Sequence, residues 1–481
     1  MENIKKHFFF IVFILFFLSI NSYKVISDVR PFYDWDESIY VQLGKEMIKA
    51  HSPVPLWQGK VWLDKPPLVP FAYGLMTLLP VQNEVSMRVL TVLLSAVAFT
   101  LIYLFAVQYS RSVVVALTTV IITTYLPSYL QRNQVVNVDV FLVIGWFGYA
   151  LFYKRRLLGT LFLLIGVLSK SLLGFYPLGM IFLYEVWIYI LNKKKNRKEF
   201  YSYLKTIALQ FAIASLWFIW AYAVYRQEFI QYHFLDNQFK RVTASIEQHF
   251  GQRTFYIDLL LEQMKYAVIP AILSVLILGI TFLKNKSKAA YFSLLFVPWF
   301  LFLNVTKTKI AWYLYPVFPQ FAYLAVYCVS CIKKTWIQVG VAGFILLIFF
   351  TFFGYSPFAP LTTNYSSWDS HTEVAQNANK IGCKNLSILV SENTRTSYAT
   401  LASMDLVIHT TTWWGDHPSM AYYANIKTNN DYSVGSFQDR LKQAKKASCF
   451  IFEKNDEKIL TLPSGLRRAD TENKQYVLMM R

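Results

Sequence analysis

The sequence predicts an α-helical polytopic membrane protein that ends in a soluble α/β domain. Three observations carry that reading. Of 481 residues, 55% are hydrophobic and 18% aromatic while only 16% are charged, a balance too apolar for an ordinary soluble chain. Apolar runs long enough to cross a bilayer recur along most of the length. After Phe353 the composition turns abruptly to Ser, Thr, Asn, Asp and Lys, with Pro357 and Pro360 marking the change.

A bilayer core about 30 Å thick needs roughly 20 apolar residues per helix, and about eleven candidate spans satisfy this. They begin near Phe8, Val85, Val113, Val138, Leu157, Leu172, Tyr203, Met264, Ala289, Ile310 and Trp336. Short segments around Ser169-Lys170-Ser171 stretch the count to about thirteen. The formal charge of +19 raises the question of nucleic acid, but the basic residues sit in short clusters between apolar runs. Threading eleven spans puts Lys5-Lys6, Lys154-Arg155-Arg156, Lys193-Lys194-Lys195 with Arg197-Lys198, Lys284-Asn285-Lys286 and Lys333-Lys334 on one side. That side is then cytoplasmic. No nucleic-acid partner is expected, and the surrounding membrane lipids are. The first apolar run lacks a small-residue cleavage site at Ser19-Ile20-Asn21-Ser22 and reads as an uncleaved first helix. The expected location is a bacterial-type plasma (inner) membrane, with the N-terminus cytoplasmic and the C-terminal domain outside.

The expected division is a transmembrane domain over 1–355, including outer-face loops 27–84 and 226–262, and an extracytoplasmic α/β domain over 356–481. Within the first loop, Ile39, Leu43 and Met47 recur at fourfold spacing, which predicts an amphipathic interfacial helix over Asp36 to His51. In the last domain, Leu386 to Val390 and Ala447 to Phe452 read as strands, and Thr372 to Lys380 and Ser436 to Lys446 as helices. Cys383 and Cys449 fall on the outer side, where a disulfide is permitted; the sequence leaves the bond open.

Chemistry concentrates in the first outer loop. Asp34-Trp35-Asp36-Glu37-Ser38 is followed by Asp64-Lys65-Pro66-Pro67, so acidic and basic residues alternate in an otherwise apolar chain, as a membrane-surface active site requires. Asp36-Glu37 with Tyr40 and Glu46-Met47, then Trp57, Gly59 and Lys65-Pro66-Pro67, resembles the first outer loop of GT-C glycosyltransferases. The similar group is that of the lipid A aminoarabinose transferase and the dolichyl-phosphate-mannose-dependent protein O-mannosyltransferases. Further matches follow in order: Arg88, Asn137-Val138-Asp139, Ser169-Lys170-Ser171, Phe234 to Arg241, His249 to Ile257, and Lys307-Thr308-Lys309-Ile310-Ala311-Trp312-Tyr313-Leu314-Tyr315-Pro316. The resemblance covers roughly Met1 to Lys334.

The resemblance implies the GT-C fold and transfer of a monosaccharide, with inversion, from a polyprenyl (undecaprenyl) phosphate carrier to a lipid, glycan or protein acceptor on the outer face. Nucleotide sugars do not reach that compartment, so a lipid-linked donor is the available source. A positioned carboxylate assists attack by an acceptor hydroxyl, and preorganised cations stabilise the departing phosphate. Asp36 is the expected base, with Glu37 orienting it or holding acceptor and Asp139 as a third acidic residue of the site. Lys65, Arg88, Arg241, Lys307 and Lys309 are the candidate phosphate partners, and Tyr313 a contact for donor sugar or phosphate.

Each residue has a plainer role open to it. Asp36 could be only solvated, Lys65 could snorkel at a helix end, and Asp139 could cap a helix beside Asn137. His233 and His249 suit packing as well as ligation, Glu185 suits a pair inside the bundle, and Trp413-Trp414 suits packing more than sugar stacking. Ile39 and Gln238 depart from the arginine and histidine of related chains, which weakens carry-over of the aminoarabinose substrate, and Asp64 replaces a glutamate placed to touch a metal. No cofactor is called for; a divalent cation is compatible with the site, but no ligand spacing defines it. Two other classes compete. A transporter or flippase of lipid-linked sugars would place its ionisable residues near the bilayer midplane, and a non-catalytic scaffold would tolerate loss of Asp36 and Lys65.

Overall fold

The computed structural model describes residues 2–191, 197–246, 249–284, 286–364, 366–470 and 472–481. Lys193, Lys194, Lys195 and Asn285, from two of the basic clusters, lie outside the described residues. The chain divides into two compact units, one made of Met1–Asp28, Arg88–Arg226 and Gly251–Thr363, the other of Val29–Met87, Gln227–Phe250 and Asn364–Arg481.

The first unit is helical throughout. Among the described residues, seven helical stretches of the chain are long and apolar enough to cross a membrane, and shorter apolar helices include Val113–Tyr125 and Asp139–Phe152. Every position where a span was expected to begin lies in or beside such a helix. The ambiguity around Ser169-Lys170-Ser171 has a physical basis. Arg156–Lys170 and Tyr176–Leu191 are separate helices, divided at Ser171, whose φ of 56° interrupts the helical path.

Glycine contacts lock this region. A Cβ on Gly145 would lie 2.5 Å from Gly166 Cα, and one on Gly174 would lie 2.2 Å from the Gly166 carbonyl carbon. Asp139–Phe152, Arg156–Lys170 and the turn Ser171–Phe175 therefore approach at backbone distance, the usual device of helices that meet in lipid. The Trp146 indole donates to the Leu173 carbonyl at 2.9 Å across the same junction.

In the second unit, the predicted amphipathic helix is present as Asp36–Lys49, with Tyr40, Leu43 and Met47 buried. It packs on Leu68–Leu75, and Gly44 makes the approach: a Cβ there would stand 2.4 Å from the Pro70 carbonyl oxygen. A two-residue hairpin, β1 (Leu56–Trp57) and β2 (Lys60–Val61), links these helices.

The C-terminal segment contributes a five-stranded sheet of order β4-β3-β5-β7-β6. The strands are β3 (Asn385–Leu389), β4 (Lys427–Asp431), β5 (Ser448–Glu453), β6 (Arg467–Asp470) and β7 (Tyr476–Met480). β3 runs parallel to β4 and β5, while β7 is antiparallel to β5 and β6. The two predicted strands are the central pair, and the predicted helices are present as Ser370–Lys380 and Val434–Lys442. Leu389, Phe437, Leu441, Phe450, Phe452 and Val477 form the core of this layer. Cys383 and Cys449 are disulfide-bonded.

Candidate functional site

In the second unit, the segment ahead of Asp36 turns sharply into the Asp36–Lys49 helix. Trp35, immediately before Asp36, has φ 70° and ψ −119°, a conformation rarely held by a bulky side chain and one that often marks functional positions. Asp36 is half-buried at the first helical position. The buried Glu37 carboxylate accepts the Tyr33 N–H at 2.5 Å, which fastens the turn.

Lys65 meets this helix from the next segment. Its amine donates to the Tyr40 hydroxyl at 2.5 Å and lies 5.1 Å from the Tyr40 ring centre. Tyr40 stands one turn beyond Asp36 on the same face, so the Lys65 cation is held over the face that carries the expected base.

Asp64, beside Lys65, is buried, with its Oδ2 accepting the Thr410 hydroxyl at 2.6 Å. Burial pushes its carboxyl up from 3.8 to about 6, against opposing effects from Thr410, Asn237, Lys65 and Arg241. Arg241 therefore acts on the same carboxylate as Lys65, although 176 positions separate them in the chain. Asp64 thus sits among a hydroxyl donor and the fields of two cations. Thr410 is the partner that sequence reading missed, and its distance along the chain leaves no local signal.

Neighbouring aromatic groups follow the plainer readings. His233 is buried, its Nδ1 lies 2.8 Å from the Leu63 carbonyl oxygen, to which it donates, and its ring stacks on Phe229. Trp414 is buried against Trp57 at 4.6 Å between ring centres, while Trp413 lies under the Lys60 amine at 5.2 Å.

The first unit holds the remaining predicted residues. Asp139 is fully buried and paired twice, with Lys170 at 2.6 Å and Arg132 at 2.8 Å. Asn137 Oδ1 accepts the Val140 N–H at 3.0 Å and so takes the capping role itself. The Lys170 amine lies 5.1 Å from the Tyr313 ring centre, and the Arg132 guanidinium 5.2 Å from that of Trp312. Asp139, Lys170 and Tyr313 are thus one assembly.

Lys309 is buried, donating to the Leu303 and Asn304 carbonyls at 3.0 and 3.1 Å at the end of the Lys286–Val305 helix. The Tyr256 hydroxyl pins the adjacent Ile310 through both its N–H and its carbonyl. Lys307 is exposed, and Arg88 is buried near the start of Asn83–Ser110. Glu185 is paired inside the bundle, accepting from Tyr153 at 2.5 Å with Lys154 at 3.8 Å.

Comparison with known proteins agrees with this picture. Residues 64–220 match the family described as dolichyl-phosphate-mannose-protein mannosyltransferase, a stretch that takes in Asp64, Lys65, Arg88, Asp139 and Lys170. ArnT from Cupriavidus metallidurans, solved with undecaprenyl phosphate bound, is similar in structure at a TM-score of 0.66 and 12% identity, with 98% of each chain covered. The archaeal oligosaccharyltransferase AglB from Archaeoglobus fulgidus, solved with an inhibitory peptide and a dolichol-phosphate, is similar at a TM-score of 0.58 and 12% identity, covering 94% of this chain and 70% of that one. An uncharacterised protein of Aquifex aeolicus (strain VF5) is 27% identical over 303 residues, which are 60% of this chain and 57% of that protein. The chain thus spans little more than half the length of that relative. The fold is the one the resemblance implied, and the likeness to GT-C glycosyltransferases of the aminoarabinose-transferase and protein-mannosyltransferase type is borne out.

Proposed function

We propose that this multi-pass membrane protein of the GT-C glycosyltransferase type moves a monosaccharide from a polyprenyl-phosphate carrier to a hydroxyl acceptor at the outer face of the membrane, with inversion. The acceptor hydroxyl oxygen attacks the anomeric carbon, its proton passes to Asp36, and the bond to the phosphate oxygen breaks to release polyprenyl phosphate. The observation that carries this reading is the gathering of Asp36, Asp64, Lys65 and Arg241 into one unit from separate stretches of chain. General-base assistance of this kind is worth about 10²–10⁴-fold in rate, and fixed cations stabilise charge that builds on the leaving phosphate.

In this reading Glu37 positions Asp36 by fastening the turn ahead of it, while Lys65 and Arg241 supply positive charge to the phosphate. Arg88, Lys307, Lys309 and Tyr313 are assigned to the donor. Asp139 acts through its partners, holding Lys170 and Arg132 in place. The N-terminus is assigned to the cytoplasm and the sheet-bearing segment to the outer side, where the Cys383–Cys449 disulfide is chemically at home.

The test uses washed membranes carrying the Asp36→Asn variant and mass spectrometry of lipids, polysaccharide and proteins from cells with and without the chain. Sugar transfer disappears in the variant while insertion is retained. Undiminished transfer overturns the assignment of the base.

A further inference from the structure

We propose that Asp34, His371 and His417 form a binding site for one divalent transition-metal ion of the zinc class. The three side chains come from distant stretches of the second unit. Asp34 precedes the Asp36–Lys49 helix, His371 lies in the first turn of Ser370–Lys380, and His417 caps Pro418–Ala424. Each offers one ligand atom, all within 4.8 Å of one another, and each is half-buried.

The geometry has features that a simple Asp–His clamp does not need. His417 Nδ1 lies 2.6 Å from Asp34 Oδ2, and His371 Nε2 lies 3.9 Å from the same oxygen. The two imidazoles are stacked nearly parallel, 4.0 Å between centres and 5° between planes. A clamp is complete with His417 alone. His371, which makes no hydrogen bond among the described residues, adds a second nitrogen directed at the same carboxylate.

Two imidazoles and a carboxylate are the ligand types zinc favours, at about 2.0–2.2 Å each. Tetrahedral ligation at those lengths separates ligand atoms by about 3.3 Å. The short edge of the present triangle therefore opens and the long edges close, through small side-chain movements. The other Asp34 oxygen accepts the Ser419 N–H at 3.1 Å, the outer-shell support that orients a ligating carboxylate. Three protein ligands leave a fourth position for water or an incoming oxygen. The ion would pin the strained turn two residues ahead of Asp36, but its binding stands independently of the transfer reaction.

The test is made on the full chain, without a histidine tag, purified in detergent, stripped with chelator and reloaded with Zn(II). Elemental analysis is expected to find about one zinc per chain, with a rise in thermal midpoint that Mg(II) does not reproduce. Co(II) loading is expected to give tetrahedral d–d absorption. His371→Gln removes a ligand without removing any hydrogen bond, so its fold is retained; its zinc affinity falls by at least the roughly 10–100-fold that follows loss of an outer-shell partner. Equal zinc content and equal thermal response in the wild type and in His371→Gln, or no zinc retained by the wild type, overturns the proposal.

Discussion

Lys65 donates its hydrogen bond to Tyr40, one helical turn beyond Asp36, and that contact fixes a cation against the helix that carries the expected base. The two side chains invite separate substitutions. Lys65→Met removes the charge itself and is expected to lower the turnover of sugar transfer by about 10²–10³-fold, the usual cost of losing a preorganised stabilising group. Tyr40→Phe removes only the tether, a hydrogen bond to a charged group worth about 1.5–3 kcal/mol at most, and is expected to cost less. Initial rates in detergent, with a purified lipid-linked donor, measure both. Equal losses in the two variants would mean that Lys65 serves the fold rather than the phosphate.

Asp64 supplies a pH dependence whose sign can be worked out. Its carboxyl lies near 6 when folded and 3.8 is its ordinary value, so the folded chain holds this proton more tightly than the unfolded one. The group's stabilising contribution is complete below about pH 4 and is lost as pH rises through about 6, a change of no more than about 3 kcal/mol. Asp64→Asn is expected to flatten that part of the stability profile between pH 4 and 6. Thr410→Val, which removes a donor that lowers the carboxyl, is expected to push the upper end of the window higher. Thermal unfolding in detergent across this range reads both effects.

Much of this architecture is written locally, and the parts that are not have a common cause. The helix at Asp36 declares itself through Ile39, Leu43 and Met47, and the central strands β3 and β5 through their apolar runs. β4, by contrast, is Lys-Thr-Asn-Asn-Asp, an edge strand held by pairing with β3 and by the Asp431–Arg440 ion pair at 3.0 Å. Nothing in its composition says strand. Lys65 and Arg241 are picked out by the resemblance to known sequences, but Thr410 is not. Its bond to Asp64 exists only because the chain's last quarter folds into the same unit as its first loop. Asp139 is legible as a special carboxylate, while its partners Arg132 and Lys170 come from two other helices, the second of them packed across the glycine junction, and spacing alone reveals neither pairing.

That junction has a counterpart at Gly44. With the Pro70 oxygen 2.4 Å from where a Cβ would be built, Gly44→Ala has to force Asp36–Lys49 away from Leu68–Leu75. The expected destabilisation is about 1–3 kcal/mol, as for other overpacked contacts. Because the same displacement moves Tyr40 relative to Lys65, transfer is expected to fall as well. A variant with unchanged thermal midpoint and unchanged rate would show that this contact yields without strain.

The Cys383–Cys449 bond spans 66 positions, and a loop of that length gives about 4 kcal/mol of stabilisation in the chain-entropy treatment. Replacing both cysteines by serine is expected to lower the thermal midpoint of the sheet-bearing unit. Thiol labelling of the untreated protein is expected to reach Cys331, which is exposed, but not Cys383 or Cys449. Labelling of all four before reduction would contradict an outer location for this segment.

Asp139 decides between a base and a holder of cations. A buried carboxylate that already pairs with Lys170 and Arg132 has little capacity left to accept a substrate proton, and its removal strands two positive charges in the bundle. Breaking one side of such a buried group costs about 3–5 kcal/mol, so Asp139→Asn is expected to reduce the yield of folded protein. Adding Lys170→Met to it removes one of the stranded charges and is expected to restore part of that yield, though not the transfer rate, since the cation beside Tyr313 is then lost. A catalytic base behaves otherwise: Asp139→Asn would fold normally and lose only turnover, and the second substitution would rescue nothing. Size-exclusion yield and initial rate, measured on the same preparations, separate the two outcomes.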